Sequence, residues 1–371
     1  MKAVIGLGFG DEGKGTVVAF LSSQNPLATV VRFSGGHQAG HTVVKDGGLR
    51  HIFSNFGSGT LTGNRTYISK YCLVSPVNLC NELVVLNQKG IIPTITIDDE
   101  CMITTPYDFY YNRMNKETQQ HGTCGMGIGS TVARNEAHYT LTFADLKIPS
   151  IFNIKMNLIR QYYKFPEPCT IKSKFDMEVE SFKLACEILV NKIHAPMKTH
   201  THPNDMIFEG SQGLLLDQNI GFFPHVTRSN TGSKNITAIM GHVPEYWLVT
   251  RAYQTRHGNG PMTNTEKKYK IESNPNETNI TNEYQGEFRR SMLDLDLLKY
   301  GLDKDENICR NNLVITCIDH LKENYSFTYN NKIVVCPTKE KFANAIKEIL
   351  FCLNVYISDS EEFKNIRKVG K

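Results

Sequence analysis

A glycine-rich segment near the beginning of the chain carries residues that could act on a phosphate group. Residues 6–16 read GLGFGDEGKGT, between a short apolar run and a helical run at Thr16–Ser22. A strand, a glycine loop and a helix in this order surround an anion with backbone N–H groups, and Lys14 adds positive charge. The spacing resembles a P-loop, except that Gly15 replaces the usual serine or threonine. The segment predicts a phosphate-binding site.

Two carboxylates lie inside this predicted cradle. Asp11 and Glu12 would repel a phosphate, so their placement is costly unless they work on a metal ion or on a proton. The order Gly-Asp-Glu-Gly-Lys-Gly is therefore more specific than a glycine-rich turn with two solvated acids. It predicts acid–base or metal chemistry beside the phosphate.

A second cluster of reactive side chains follows the second apolar run. Residues 34–42 read SGGHQAGHT, in which glycines flank His37 and His41. Glycine lets the backbone approach a ligand closely, and a histidine that faces a phosphate can act as a general acid. A two-histidine metal site is the alternative, although the sequence shows no third histidine or cysteine ligand nearby.

The elements that must position these motifs follow from the hydrophobic pattern. Short apolar runs, several of them β-branched and apolar on both faces, alternate with helical stretches such as 174–193 and 338–352. This alternation predicts an α/β fold with a large, mostly parallel central β-sheet flanked by helices, P-loop-NTPase-like at its start. The candidate strands are Ala3–Gly6, Val30–Phe33, Thr66–Ser69, Thr94–Ile97, Met206–Glu209, Trp247–Ala252, Leu313–Ile318, Ile333–Cys336 and Val355–Ile357.

Composition limits the organisation, the partners and the location of the chain. We expect one domain over residues 1–371, with long active-site loops at 106–130 and 263–286, where no periodic pattern occurs. The 41 Lys+Arg and 37 Asp+Glu leave a net charge of +4, which is too small for a nucleic-acid surface. The ten cysteines form no C-x-x-C pair, and no apolar run approaches the ~20 residues of a membrane span. A cytoplasmic protein with neither a nucleic-acid nor a membrane partner is predicted.

The two reactive motifs together resemble those of the adenylosuccinate synthetase family. Residues 10–15 match its pattern G-D-E-G-K-G, and residues 35–42 match G-G-x-N-A-G-H-T with Gln38 in place of the asparagine. Four further segments agree in order with family patterns: 122–129 with G-T-T-G-R-G-I-G-P, 208–217 with F-E-G-A-Q-G-x-L-L-D, 221–230 with G-x-x-P-Y-V-T-S-S-N, and 253–261 with Y-x-T-R-V-G-x-G-P.

The resemblance implies a ligase of purine biosynthesis. In the family, GTP phosphorylates the 6-oxygen of IMP, and the amino group of L-aspartate displaces the phosphate to give adenylosuccinate. By this resemblance Asp11 would remove the N1 proton and would bind Mg²⁺ together with the carbonyl of Gly40. Lys14 and His41 would stabilise the transferring phosphoryl group, which is the electrostatic work typical of phosphoryl transfer.

The resemblance also marks residues that would hold the nucleotides. Thr123, Gln212 and Thr227 match positions for the 5′-phosphate of the acceptor nucleotide. Arg134 is the candidate for an arginine that reaches across a homodimer in the family, and Met126 replaces an arginine of the 122–129 loop. The full set of nucleotide-binding candidates is Gly10, Glu12, Gly13, Gly15, Thr16, Gln38, Thr42, Thr123, Arg134, Gln212, Thr227, Arg256 and Asp319.

A departure from the family pattern leaves the amine open. The aspartate-binding loop T-T-G-R-R-R-R corresponds here to residues 284–290, YQGEFRR. Gly286, Arg289 and Arg290 remain candidates for binding the amine substrate. Glu287 stands where an arginine is expected, and its charge would repel a carboxylate. The amine is therefore L-aspartate or a different donor.

The sequence also leaves alternatives for the identity of the triphosphate and of the acceptor nucleotide. The guanine-reading pattern T-K-L-D appears as TCID at residues 316–319, so the lysine is lost and ATP is an alternative to GTP. The chain is also shorter than the usual family member, as are phage relatives that act on dGMP. We therefore keep dGMP as an alternative acceptor, although the retained Asp11 favours IMP. A catalytically silent nucleotide-binding regulator is the non-enzymatic alternative, and the retained Asp11 and His41 argue against it.

Overall fold

The computed structural model of the chain describes residues 1–114, 124–166, 173–194, 205–267, 269–272, 274–277, 286–322 and 324–370. The strands are β1 (Lys2–Gly6), β2 (Thr29–Arg32), β3 (His41–Lys45), β4 (Leu49–Phe53), β5 (Arg65–Ile68), β6 (Leu73–Val74), β7 (Ile95–Ile97), β8 (Met102–Ile103), β9 (Met206–Gly213), β10 (Glu245–Arg251), β11 (Tyr253–His257), β12 (Phe288–Asp294), β13 (Asn312–Thr316), β14 (Tyr325–Tyr329), β15 (Lys332–Cys336), β16 (Asn354–Ile357) and β17 (Arg367–Lys368). The α-helices are α1 (Lys14–Ser23), α2 (Pro76–Gln88), α3 (Pro106–Met114), α4 (Ile128–Glu136), α5 (Phe143–Leu146), α6 (Pro149–Tyr162), α7 (Lys174–Ile188), α8 (Ser233–Met240), α9 (Leu295–Lys304) and α10 (Lys339–Ile349).

Strand β1 lies at the centre of the largest sheet. Within the described residues, nine strands form this sheet in the order β17-β16-β13-β10-β1-β9-β2-β5-β7. Neighbouring strands are parallel except for the pair β16 and β17. The predicted α/β fold with a mostly parallel central sheet is thereby confirmed.

The central strands are apolar on both faces because packing covers both faces. Ala3 and Ile5 of β1 pack with Phe208 in one core cluster, whereas Val4 packs with Val18 of helix α1 in another. All five side chains are fully buried. This two-sided burial is typical of parallel sheets that carry helices on both faces.

Three smaller sheets accompany the central one in the described part of the chain. They comprise β11-β12-β14-β15, the hairpin β3-β4 and the short pair β6-β8. The strand predicted at Ile333–Cys336 is β15, so it exists but belongs to the four-stranded sheet. Its Val335 side chain is 72% exposed, as expected at the edge of a sheet with one solvated face.

The two helices predicted from apolar spacing are confirmed. Helix α7 begins after Ser173, whose hydroxyl accepts the backbone N–H of Asp176 while the Asp176 carboxylate accepts that of Ser173. This reciprocal pair is a capping box, which satisfies donors that a helix start otherwise leaves open. Helix α10 begins after Thr338, whose hydroxyl accepts the backbone N–H of Lys341 as a single N-terminal cap.

The prediction of one long loop at 106–130 is wrong. Residues 106–114 form α3 and α4 begins at residue 128, while residues 115–123 lie outside the described residues. Some of the polar side chains that suggested a loop are buried and hydrogen-bonded inside the protein. Asp108, for example, is fully buried and accepts the backbone N–H of Thr105. The described part of 263–286 contains neither an α-helix nor a strand, as predicted.

The cysteines and the lengths of the apolar helices can be compared with the expectations from composition. The nine cysteines within the described ranges are free thiols. No helix in those ranges is long and apolar enough to cross a membrane.

Candidate active site

A cavity of about 470 Å³ opens where the central strands end. The loops that follow β1, β2, β9, β11 and β13 all contribute to its lining. Ligands of open parallel sheets bind beyond the carboxyl ends of the strands, so this cavity occupies the expected position. Both predicted reactive motifs contribute to it, through Asp11, Lys14 and His41.

The loop after β1 has the backbone that its glycines predict. Gly10 and Gly13 have φ angles of +94° and +84°, in the left-handed region that glycine adopts without strain. A Cβ added at Gly13 would also lie 3.2 Å from Thr316. The Thr316 hydroxyl donates to the Glu12 carbonyl at 2.7 Å, which attaches the loop to strand β13.

Gly15 brings helix α1 against the second motif. A Cβ at this position would lie 2.9 Å from Cβ of His41 and 3.0 Å from the Ser58 hydroxyl. The serine or threonine of a P-loop does not fit there, which explains the departure seen in the sequence. Thr16 follows and donates its hydroxyl to the carbonyl of Thr42 at 3.5 Å, and both threonines line the cavity.

Glu12 turns inward and braces the loop. Its Oε1 accepts backbone N–H groups of Gly8 at 3.1 Å and Gly10 at 2.8 Å, and its Oε2 pairs with Lys14 Nζ at 2.5 Å. Glu12 and Lys14 are almost completely buried. Glu12 therefore lines the cavity with its carboxylate bonded inside the loop, and its role as a nucleotide-binding residue stays a prediction.

Asp11 presents its carboxylate to the cavity from a left-handed backbone with a φ of +60°. The Asp11 carbonyl accepts Arg251 Nε at 2.5 Å, and Oδ2 lies 3.6 Å from Nε2 of His257. Burial raises the pKa of Asp11 above its ordinary value, against the opposing charges of Arg251 and His257. A raised pKa makes a carboxylate a more effective proton acceptor near neutral pH.

His41, the first residue of β3, is held by a buried acid. Its Nδ1 lies 2.5 Å from Oε1 of Glu209, and its Nε2 lies 3.3 Å from the carbonyl oxygen of Ser211. Glu209 is fully buried on β9, where it also accepts the backbone N–H of Ser58 at 3.0 Å and the Ser58 hydroxyl. This contact orients the imidazole, as a carboxylate does for catalytic histidines.

The environment keeps Glu209 ionised. Burial acts to raise the pKa of Glu209, but the charges of His41 and Arg32 and the hydrogen bonds from His41 and Ser58 outweigh it and lower the pKa to about 2. Sequence reasoning matched the segment around Glu209 but assigned this residue no role. An acid inside an otherwise apolar strand was the available signal.

Gln212 and Thr227, which were predicted to hold the acceptor nucleotide, line the cavity together with Gln38, which was predicted to bind a nucleotide. The part of the cavity that these three residues line is called the acceptor lobe below. Oε1 of Gln38 and Oε1 of Gln212 are buried without a hydrogen-bond partner in the described part of the chain. Buried polar atoms are normally satisfied, so these two mark positions where a ligand donor fits. The third acceptor candidate, Thr123, lies outside the described residues.

The assignment of Arg134 to a phosphate is wrong. This side chain is fully buried, and its Nε lies 2.9 Å from Oδ1 of Asp108. Its Nη2 donates to Oδ2 of Asp108 at 3.1 Å and to the carbonyl of Ile103 at 2.9 Å, and its Nη1 donates to the carbonyl of Tyr139. The guanidinium therefore joins α4 to α3 inside the protein and does not face a partner subunit.

Arg256 lies in the cavity wall and supports it. Its guanidinium stacks 4.0 Å from the centre of the Phe9 ring and donates to the carbonyls of Pro261 at 2.6 Å and His225 at 3.1 Å. Burial, together with the charge of Arg289, lowers the pKa of Arg256 to about 10. These contacts fix the wall between the loop after β1 and the 258–261 turn.

The residues predicted to bind the amine do not line the cavity. Arg289 donates to the carbonyls of Gly258 at 2.5 Å and Gly260 at 2.6 Å, behind the cavity wall. Arg290 is exposed and donates to the carbonyl of Glu272 at 3.3 Å. Gly286 is also outside the lining, and residues 284 and 285 lie outside the described part. Binding of the amine by Gly286, Arg289 and Arg290 therefore stays a prediction.

Asp319, the candidate guanine reader, is also displaced from the cavity. It is not among the lining residues. Its half-exposed side chain places Oδ2 3.7 Å from Nε2 of His320. Cys317, which stands in place of the family's lysine, lines the cavity with a φ of +54°. The end of the cavity near β13 thus lacks the arrangement that the guanine motif predicts.

The donor set suits a magnesium ion carried with phosphates. Asp11 and Gly40, the two predicted ligands, both line the cavity and offer oxygen atoms. No cluster of three or more His, Cys, Asp or Glu side chains that could hold a metal occurs in the described ranges. Mg²⁺ typically takes one or two carboxylates and completes its shell with water and substrate phosphates, so these residues fit such a site.

Comparison with known proteins gives a consistent result. The adenylosuccinate synthetase family model matches residues 3–368. The adenylosuccinate synthetase of Coxiella burnetii (strain Dugway 5J108-111) is 33% identical over 287 residues, which cover 71% of this chain and 65% of that sequence. The enzyme of Azotobacter vinelandii is 32% identical over 280 residues, covering 70% of this chain and 64% of its own length. The matched region thus spans less than two thirds of these curated relatives.

Two solved structures share the fold. A fully ligated adenylosuccinate synthetase from Plasmodium falciparum superposes with a TM-score of 0.76 at 18% identity, covering 100% of this chain and 99% of the other. The succinoaminodeoxyadenylate synthetase of cyanophage S-2L, bound to dGMP and to dATP as an energy donor, gives a TM-score of 0.65 at 12% identity. This second match covers 100% of this chain and 95% of the phage protein.

Proposed function

Because the chain belongs to the adenylosuccinate synthetase family, we propose that it is a nucleoside-triphosphate-dependent ligase that forms a C–N bond on a purine nucleotide. The favoured reaction joins IMP and L-aspartate to give adenylosuccinate in purine nucleotide biosynthesis. One observation carries the proposal: Asp11, Lys14 and His41 line a single cavity at the carboxyl ends of the central strands. A base, a fixed cation and an oriented imidazole are the groups that phosphorylation of a purine oxygen requires.

The first step activates the 6-oxygen of the acceptor. Asp11 accepts the N1 proton, so electron density moves onto the 6-oxygen, which attacks the γ-phosphorus of the triphosphate. The bond between this phosphorus and the β,γ-bridging oxygen breaks, and the nucleoside diphosphate leaves. Lys14 offsets the negative charge on the transferring group, and the His41 imidazole stabilises that group by hydrogen bonding.

The second step exchanges phosphate for the amine. The amino nitrogen attacks C6, the C6–O bond breaks, and inorganic phosphate departs with the former 6-oxygen while the nitrogen loses one proton. When bound, Mg²⁺ supplies charge neutralisation for the triphosphate, with Asp11 and the Gly40 carbonyl as its protein ligands. The Glu209 carboxylate keeps His41 aimed at this centre through both steps.

A second acceptor, dGMP, is favoured by the fold shared with the cyanophage protein, which binds dGMP and dATP. The retained Asp11 keeps IMP as the first choice. For the donor, the displaced Asp319 and the cysteine at 317 favour ATP alongside GTP. For the amine, the positions of Arg289 and Arg290 leave L-aspartate and another amine as alternatives.

Assembly and location complete the proposal. We expect a cytoplasmic homodimer, as in the family, with no nucleic-acid or membrane partner. A catalytically silent regulator remains the non-enzymatic alternative. Its expected behaviour differs from that of a ligase, because it would bind nucleotides without consuming triphosphate.

A phosphate-release assay tests the proposal. Purified protein with Mg²⁺ is incubated with IMP or dGMP and with GTP or ATP, with and without L-aspartate, and products are identified by mass spectrometry. Phosphate release that requires IMP and aspartate, with a succinylated product, is the expected result. Release with dGMP would identify the alternative acceptor, whereas nucleotide binding without release under any amine would identify the regulator.

A further inference from the structure

The acceptor lobe of the cavity needs a cation for the 5′-phosphate, and this inference rests on the proposed function. Arg134 is excluded by its burial against Asp108. Four other lysine and arginine side chains line the cavity, and each has a partner: Lys14 pairs with Glu12, Arg50 with Glu361, Arg251 with Glu277, and Arg256 with the carbonyls of His225 and Pro261. The fifth lysine or arginine in the described lining is Arg228, which pairs with Glu136 and is the most exposed of the five.

Arg228 stands at a fixed point of this lobe, directly after the phosphate candidate Thr227. The backbone on either side is tied down, because the N–H of Thr227 donates to the carbonyl of Leu216 at 2.8 Å and the hydroxyl of Ser229 accepts the N–H of Gly35 at 3.0 Å. Ser229 itself is buried. The segment therefore presents the Arg228 side chain from a rigid base.

The side chain of Arg228 lies along helix α4. Its Cδ is 4.0 Å from the position that a Cβ of Gly129 would take, in the first turn of that helix. The first turn of a helix carries backbone N–H groups without helical partners, and it favours negative charge. Ile128 and Gly129 of this turn line the same cavity as Thr227. Only the Cδ end of the stem lies at this turn; the guanidinium reaches Glu136, the last residue of α4, and must swing back from it to add its charge to an anion at the first turn.

The ion pair of Arg228 is of the kind that a phosphate can replace. Nη2 lies 2.6 Å from Oε2 of Glu136, and the two side chains are 47% and 61% exposed. Exposed pairs contribute little to stability because solvent screens them. A guanidinium and a phosphate instead form paired, charge-assisted hydrogen bonds, which are among the stronger polar contacts in proteins.

We propose that Arg228 supplies, from within the same chain, the positive charge that binds the 5′-phosphate of the acceptor nucleotide. The family pattern has serine at the position of Arg228 and arginine at the position of Met126. The acceptor phosphate site is then complete within one subunit.

The variant R228S, which restores the family's serine, tests this assignment. We expect the KM for the acceptor nucleotide to rise ~10–100-fold, the range for losing a charged hydrogen bond, while the KM for the triphosphate changes less than twofold. Equilibrium binding of IMP and dGMP by calorimetry should weaken by the same factor. Binding of the parent nucleosides, inosine and deoxyguanosine, should not change, since they lack the phosphate.

R367S is the matched control. Arg367 is 45% exposed and pairs with Glu340 at 3.1 Å, so this variant removes a similar surface arginine that does not line the cavity. An R228S protein that binds the acceptor monophosphate as tightly as wild type would overturn the inference. If wild-type protein binds and turns over neither monophosphate, the proposed function fails and the inference fails with it. If the wild-type protein is active and R228S binds the monophosphate as tightly as wild type, the inference about Arg228 fails while the proposed function stands.

Discussion

At the scale of single residues, the account depends on Asp11 as the proton acceptor. We predict that D11N loses turnover by ~10²–10⁴-fold, the usual loss on removing a general base. Thermal unfolding should stay near that of wild type, because Asp11 lies in a loop at the cavity and its side chain is 23% exposed. Steady-state kinetics and a melting curve on the same preparation check both parts. D303N, which removes an exposed carboxylate on α9, is the control and should keep full activity.

A second residue-scale prediction concerns Glu209. We expect E209Q to lower kcat ~10–100-fold, the range for losing an orienting partner, because the amide no longer fixes His41 as an anion does. E180Q removes an exposed glutamate of α7 and should leave kcat unchanged. Wild-type kcat in E209Q would show that the 2.5 Å contact does not support catalysis.

The E209Q variant also tests how the free energy of unfolding depends on pH. The pKa of Glu209 is lowered to about 2 from an ordinary 4.5, so its ionisation stabilises the folded state above pH 4.5. That contribution, on the order of 3 kcal/mol, is lost as the pH falls from 4.5 towards 2. Urea unfolding across this range should show a shallower loss of stability in E209Q than in wild type. Equal slopes for the two proteins would contradict the assignment.

These residues also show which parts of the site the sequence could predict. Asp11, Lys14 and His41 were predicted because glycine-rich motifs surround them, and the structure places all three in one cavity. Glu209 and His257 were missed because each lies in a strand. The acid in an apolar strand marked Glu209 as unusual, but the local pattern does not show what faces either side chain across the sheet. His257 lies 3.6 Å from Asp11 only because β11 ends beside the loop after β1.

At the scale of elements, the buried pair of Asp108 and Arg134 holds α3 against α4. We predict that R134A destabilises the protein by about 3–5 kcal/mol, the range for leaving one partner of a buried ion pair uncompensated. Chemical denaturation measures this loss. R367A, at an exposed pair, should cost less than about 1 kcal/mol. A small effect of R134A would show that water reaches Asp108 and that the pair is not a structural clamp.

This pair also explains the wrong loop prediction at 106–130. Polar residues in a helix were interpreted as solvated because their partners are distant in sequence: Asp108 meets Arg134 and also accepts the Tyr163 hydroxyl at 2.8 Å. Helices α7 and α10, in contrast, combine apolar spacing with local caps at Ser173 and Thr338. Local signals therefore predicted these two helices, and non-local partners hid the helical part of the other segment.

At the scale of the whole molecule, alternation of apolar runs predicted the fold class but not the order of strands. Strand β1 pairs with β9 through Lys2 and Ile207, and with β10 through Lys2 and Glu245. Such pairings join segments that are far apart in sequence, and no local pattern encodes them. The cavity forms where these distant strands end together, so the meeting of Gln38, Gln212, Thr227 and Arg228 around it is visible only in the folded chain.

The central claim for the whole molecule is that turnover proceeds through a phosphorylated 6-oxygen, and an isotope measurement tests it most directly. The acceptor that supports turnover, IMP or dGMP, is prepared with ¹⁸O at the 6-position and allowed to react with triphosphate, Mg²⁺ and the amine. The account predicts that the released inorganic phosphate carries one ¹⁸O per turnover, because the C6–O bond breaks after phosphorylation. Unlabelled phosphate, released while the aminated product accumulates, would contradict it.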